Sequence, residues 1–103
     1  MPEGLAIDYH DSGGEAVVVK VRGEVDIASV DEFRRAVSAA PTERPLVVDV
    51  DEVDYLDSAG VAVLFQRAKS GPLEVVAGPR CPVRRVLEVV ALDQLATLRE
   101  PRT

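Results

Sequence analysis

The chain has 103 residues, 47% of them hydrophobic, with 12 Lys and Arg against 18 Asp and Glu for a net charge of −6; that size fits one domain over residues 1–103 and leaves no room for two. Nineteen valines stand against four aromatics and no tryptophan, a composition that describes a β-branched aliphatic core and argues against a stacking platform for single-stranded nucleic acid. The acidic balance repels phosphate backbones and removes the counterion-release term that dominates nucleic-acid affinity, so a basic protein surface is the expected partner.

In chain order, Leu5, Ile7 and Tyr9 alternate with Ala6, Asp8 and His10, and Val17, Val19 and Val21 alternate with Val18, Lys20 and Arg22. Two strands follow from that period. Between them Asp11-Ser12-Gly13-Gly14 supplies turn formers, which predicts an antiparallel hairpin. Gly23-Glu24-Val25-Asp26 closes the second strand. Ser29 with Glu32 three residues on forms a capping-box pattern, and Val30, Phe33, Val37 and Ala40 share one helical face up to Pro41.

Leu46 to Asp51 reads as a central strand, followed by a loop from Glu52 to Asp57. A second helix carries Val61, Leu64, Phe65 and Ala68 on its inward face, with Gln66, Arg67 and Lys69 pointing elsewhere, and stops at Gly71-Pro72. Leu73 to Ala77 reads as a fourth strand. Pro82 opens a third helix with Val83, Val86, Leu87 and Val90 inward, and Leu95 to Leu98 reads as an edge strand. The order predicts an α/β fold: a small mixed sheet of four to five strands, with an N-terminal hairpin, parallel pairing after it and three main helices. Pro101 to Thr103 reads as a frayed tail.

The single cysteine, Cys81, excludes an internal disulfide and a thiolate zinc cluster. No run of about eighteen apolar residues is present, and Met1-Pro2-Glu3-Gly4 lacks a basic region followed by an apolar run. A cytoplasmic protein with no membrane association is expected.

The stretch Val47 to Gly60 is the most informative. Six of its fourteen positions are Asp49, Asp51, Glu52, Asp54, Asp57 and Ser58, carboxylates or a hydroxyl at the carboxyl end of a strand and just before a helix. In open α/β sheets, ligands and partners meet the chain at that end. Asp57 suits an N-cap, Ser58 falls at the first helical residue, and Gly60 keeps the backbone free of a side chain so that another surface can approach. Plain capping is one reading of Asp57 and Ser58; a switchable hydroxyl is the other. The acidic run ahead of Ser58 would then act as a local field that steers a basic partner to the helix start.

Gly23-Glu24-Val25-Asp26 before the first helix, the apolar strand Val47 to Val50, and Asp57-Ser58-Ala59-Gly60 at the start of the second helix resemble the bacterial anti-sigma factor antagonists of the STAS domain family. The resemblance covers nearly the whole chain, a single STAS domain. It implies a protein without catalytic activity or cofactor that binds an anti-sigma factor serine kinase with a histidine-kinase-like ATP fold, and is released when the kinase phosphorylates the motif serine, Ser58. A metal-dependent Ser/Thr phosphatase would reset it. The same family fold brings the loop after the second strand next to the helix start, so the implied partner-binding set is Asp26, Ile27, Asp57, Ser58 and Gly60, with Asp26 also readable as a turn or capping residue. The expected oligomeric state is a monomer or weak dimer. Ala59 stands where some members carry a second hydroxyl, which leaves one acceptor.

Other readings compete. The same domain could act as a scaffold in another partner-switching pathway. The acidic set Asp49, Asp51, Asp54 and Asp57 imitates a Mg²⁺ site or a receiver-type aspartyl phosphoacceptor, although a receiver needs a helix where this chain has a hairpin. His10, the only histidine, would have to reach Ser58 to form a hydrolytic triad. Cys81 before Pro82 sits where a helix dipole lowers a thiol's pKa, against the plainer reading of a small inert residue. Arg80, Arg84 and Arg85 form a local basic patch, and no dinucleotide or Walker A fingerprint is present.

Overall fold

The computed structural model describes residues 4–11 and 13–102. Met1 to Glu3, Ser12 and Thr103, on which the expectations for the chain start, the hairpin turn and the tail partly rest, lie outside them. Five strands form one sheet in the order β1 (Leu5–His10), β2 (Val17–Val25), β3 (Leu46–Leu56), β4 (Leu73–Val76) and β5 (Thr97–Arg99). β1 and β2 pair antiparallel, with Leu5 opposite Gly23 and His10 opposite Val18; every later pair is parallel. Helices α1 (Val30–Ala39), α2 (Ser58–Ser70) and α3 (Pro82–Val89) fill the crossovers. The expected mixed sheet and three helices are therefore present, with five strands.

The period-2 pattern decides which face is covered. Val17, Val19, Val21 and Val25 of β2, Leu46, Val48 and Val50 of β3, and Leu73 and Val75 of β4 join Val30, Phe33 and Val37 of α1, Val63 and Leu64 of α2, and Val83 and Leu87 of α3 in one buried cluster. The alternate positions Val18, Lys20, Val47, Asp49 and Glu74 are half-buried on the other side of the sheet. Polar groups there pair across strands, as Lys20 with Glu52 at 3.4 Å and Arg99 with Glu74.

Five local expectations are corrected. The stretch from Glu52 to Leu56, expected as loop, continues β3, because its register with β2 shifts between Lys20 and Arg22 and again between Gly23 and Glu24. Such bulges turn side chains out of strict alternation, so Val50, Val53 and Leu56 are all buried at spacings of three. Gly23, at the second shift, has a φ of +102°, and a Cβ on it would overlap the Gly4 carbonyl oxygen.

The Ser29 and Glu32 capping box is not made. Ser29 is the N-cap residue but caps nothing with its side chain; its hydroxyl instead donates to the Glu24 carbonyl at 2.9 Å. Arg67, expected to point away, is 4% exposed in the core. Its Nη2 donates to the carbonyls of Pro41 at 3.3 Å and Arg44 at 2.9 Å, which ties α2 to the loop before β3. Val86 and Val90 are exposed, leaving Val83 and Leu87 as the inward side of α3. The segment before the edge strand forms a single 3-10 turn, Leu92–Gln94, so the edge strand starts at Thr97 rather than Leu95.

Candidate functional site

The carboxyl ends of β2 and β3 are adjacent, with Glu24 opposite Tyr55 and Val25 opposite Leu56. Each strand then feeds a helix. After β2, Asp26 organises a tight turn: its carbonyl accepts the N–H groups of Ser29 at 3.0 Å and Val30 at 2.8 Å, while its Oδ1 accepts those of Ala28 at 3.0 Å and Ser29 at 3.2 Å. The Ser29 hydroxyl adds a further bond to Oδ1 at 3.1 Å. Asp26 is half-buried and its carboxylate is used by the turn. Ile27, held between these anchors, is 87% exposed.

After β3, Asp57 caps α2. Its Oδ1 accepts the Gly60 N–H at 3.1 Å, the N3 position of a helix that begins at Ser58. Because Asp57 fills that role, the Ser58 side chain is not the cap, and it is exposed at the first helical residue. Its hydroxyl therefore sits at the positive end of a 13-residue helix. Gly60 is buried, and a Cβ on it would overlap Leu56 Cδ1 and stand 3.0 Å from Val25 Cγ1. The close approach that Gly60 permits is thus between α2 and the sheet beneath it, not to an outside surface.

The acidic run does not act as one cluster. A strand rises about 3.3 Å per residue, so Asp49 and Asp57 are roughly 25 Å apart along β3. Asp49 accepts the Asp51 N–H at 3.0 Å, Asp51 accepts the Gly78 N–H at 2.7 Å, and Glu52 pairs with Lys20. Asp54, exposed, and Asp57 remain beside Ser58 in sequence. Among the described residues no group of three or more His, Cys, Asp or Glu is placed to hold a metal ion.

The rival arrangements are resolved by position. His10 pairs with Val18 and Val25 with Leu56, so the imidazole lies at the far end of the sheet from Ser58, seven strand residues or roughly 23 Å away. A receiver-type sheet runs 2-1-3-4-5, whereas this one runs 1-2-3-4-5 with an opening hairpin. Cys81 is buried, and its thiol donates to the Val50 carbonyl at 3.3 Å. Arg84 donates to the Ala77 carbonyl and pairs with Glu88, so only Arg80 and Arg85 of the basic patch are exposed. Among the described residues no helix is long and apolar enough to cross a membrane.

The comparisons with known proteins agree with this architecture. The family model described as "Mlab, STAS domain" matches residues 10–100. The anti-sigma-F factor antagonist RsfA of Mycobacterium tuberculosis is 36% identical over 67 residues, which is 61% of this chain and 50% of that protein, so the chain spans about half the length of this relative. The crystal structure of an anti-sigma factor antagonist from Mycobacterium paratuberculosis superposes with a TM-score of 0.80 at 26% identity, covering 96% of this chain and 88% of that one. The Bacillus cell fate determinant SpoIIAA in its phosphorylated form has the same fold, with a TM-score of 0.66 at 21% identity over 90% of each chain. With its hairpin-led sheet, its capped helix start and a family model matched over nearly its full length, the chain belongs to the STAS domain family.

Proposed function

We propose that the protein is an anti-sigma factor antagonist that binds an anti-sigma factor serine kinase through the end of the sheet formed by Asp26, Ile27, Asp57, Ser58 and Gly60, and releases it when Ser58 is phosphorylated. It acts by binding rather than by catalysis, and a Ser/Thr phosphatase restores the binding form. The observation that carries this reading is the division of labour at the helix start: Asp57 makes the cap and Ser58 is left exposed beside it. The mycobacterial relative's name and the solved phosphorylated form of SpoIIAA support it. Within the set, Ile27 and Ser58 make contact; Asp26, Asp57 and Gly60 fix the turn and helix that present them.

The energetics favour a switch. Phosphorylation adds about −1.5 to −2 charges, and repulsion from Asp54 and Asp57 costs on the order of 1 kcal/mol per contact in water. The helix N-terminus returns about 0.3–2 kcal/mol, so the free domain tolerates the phosphate. An interface does not, because desolvating the dianion without a new cation costs several kcal/mol, and each 1.4 kcal/mol is about tenfold in affinity.

Affinity capture with wild-type, Ser58→Ala and Ser58→Asp proteins tests this. A kinase retained by the first two, lost with the third, and able to transfer phosphate from ATP to Ser58 is the expected result. Equal retention by all three, or phosphate on another residue, overturns the switch. Capture of a partner that inhibits no sigma factor moves the domain to another partner-switching pathway.

A further inference from the structure

A cavity of about 530 Å³ opens between the last turns of α1 and α2, at the opposite end of α2 from Ser58. Arg34, Arg67 and Lys69 line it together with Thr42, Gln66 and Ser70, and no carboxylate does, although the chain as a whole carries −6. Three cations gathered around one hollow of an acidic protein call for an anion.

Arg67 makes the case sharper. Its side chain is 4% exposed, and beyond the two carbonyl contacts of Nη2, its Nε and Nη1 are enclosed with no hydrogen-bond partner among the described residues. Burial pushes its pKa down, the mark of a charge without a counter-charge. The helix-end carbonyls answer only part of that charge: the Ser70 hydroxyl already donates to those of Gln66 and Arg67, and the Gly71 N–H also donates to Arg67 O. Arg34 pairs with Asp31 at the surface, and Lys69 is exposed.

We propose that this cavity binds a small phosphorylated metabolite, its phosphate gripped by Arg34 and Lys69 above the buried Arg67 guanidinium. A dianion there meets the Arg67 and Lys69 charges together with the Arg34 guanidinium, which it shares with Asp31. The hollow exceeds what inorganic phosphate needs, and the Thr42 hydroxyl and Gln66 amide offer partners to a polar remainder.

Titration of ¹⁵N-labelled protein with ribose 5-phosphate and with inorganic phosphate, followed by NMR, tests the assignment. Saturable shifts are expected over residues 34–44 and 63–71 and at the Arg67 Nε–H signal, with ribose 5-phosphate the tighter ligand. Removing one exposed cation by Lys69→Ala or Arg34→Ala weakens binding about fivefold, the worth of a single solvated charge contact. Lys20→Ala, on the uncovered sheet face, leaves it unchanged. Absence of saturation with either probe, equal loss in Lys20→Ala, shifts centred on Ser58, or tighter binding of inorganic phosphate overturns the proposal.

Discussion

The backbone N–H of Asp57 donates to the carbonyl of Val25 at 3.0 Å, so the residue that caps α2 is hydrogen-bonded to the last residue of β2. One residue further on, Asp26 starts the turn that displays Ile27. The exposed side chains of Ile27 and Ser58 are thus carried by two neighbouring strand ends joined by main-chain bonds, a rigid mounting that needs no partner to assemble it.

Asp57→Ala removes the side-chain bond at the α2 end of that mounting, the one to the Gly60 N–H. Loss of an N-cap costs about 1 kcal/mol, which for a domain of this size lowers Tm by about 4–8 °C. Asp57→Asn, which keeps the acceptor, falls by less. Thermal denaturation followed by circular dichroism distinguishes these outcomes; an unchanged Tm in Asp57→Ala would mean that the Ser58 hydroxyl takes over the cap.

Gly60→Ala sets two effects against each other. Alanine is the better helix former by about 1 kcal/mol, but its Cβ enters the space of the buried Leu56 side chain and approaches Val25. Overpacking of this kind costs about 1–3 kcal/mol, so net destabilisation is expected in chemical denaturation. A more stable Gly60→Ala protein would show that Leu56 has room to rotate away.

The main elements were legible because strand and helix periods dominate their sequences, and the helix start was legible because Asp57-Ser58-Ala59-Gly60 names its cap locally. What escaped depends on contacts distant in sequence or on two local solutions competing. The inward turn of Arg67 is dictated by the carbonyls of Pro41 and Arg44, 26 and 23 residues away. The end of β3 escaped because bulges opposite β2 break its alternation. The Ser29 and Glu32 pattern is sound, yet Asp26 reaches the same turn first and redirects the Ser29 hydroxyl. Gly60 was recognised as a close-approach position, but only the fold reveals that the approaching surface is Leu56.

At the far end of the sheet, Arg44 grips Asp11 with two bonds of 2.9 Å and also donates to the Gly14 carbonyl at 2.7 Å. That guanidinium, with the Gly13 N–H, holds the Asp11 carboxyl below the usual range. A carboxylate depressed in the folded state contributes stability that is complete above its unfolded pKa and is lost as pH falls through the folded value. The clamp between the hairpin turn and the loop before β3 therefore persists at neutral pH and weakens only in acid. NMR titration of Arg44→Ala is expected to return the Asp11 pKa toward the ordinary carboxylate value; an unaltered titration would show that Gly13 alone sets it.

Ile27 offers the most direct test of where a partner lands. At 87% exposed it contributes almost nothing to packing, so Ile27→Ala leaves stability within about 0.5 kcal/mol. The turn that carries it is fixed by the Asp26 bonds to Ala28 and Ser29, not by the Ile27 side chain, and it keeps its shape in the variant. Any loss of partner affinity then reports contact alone. Burying an isoleucine is worth about 1.5–3 kcal/mol, most of which is forfeited on truncation to alanine, so the captured kinase should dissociate roughly tenfold more readily. Ile27→Asp should weaken it further, since it adds a charge of the same sign as a phosphate on Ser58. Equal melting temperatures with unequal dissociation constants, measured by calorimetry on the same preparations, would place Ile27 in the interface; full affinity in Ile27→Ala would confine the contact to α2.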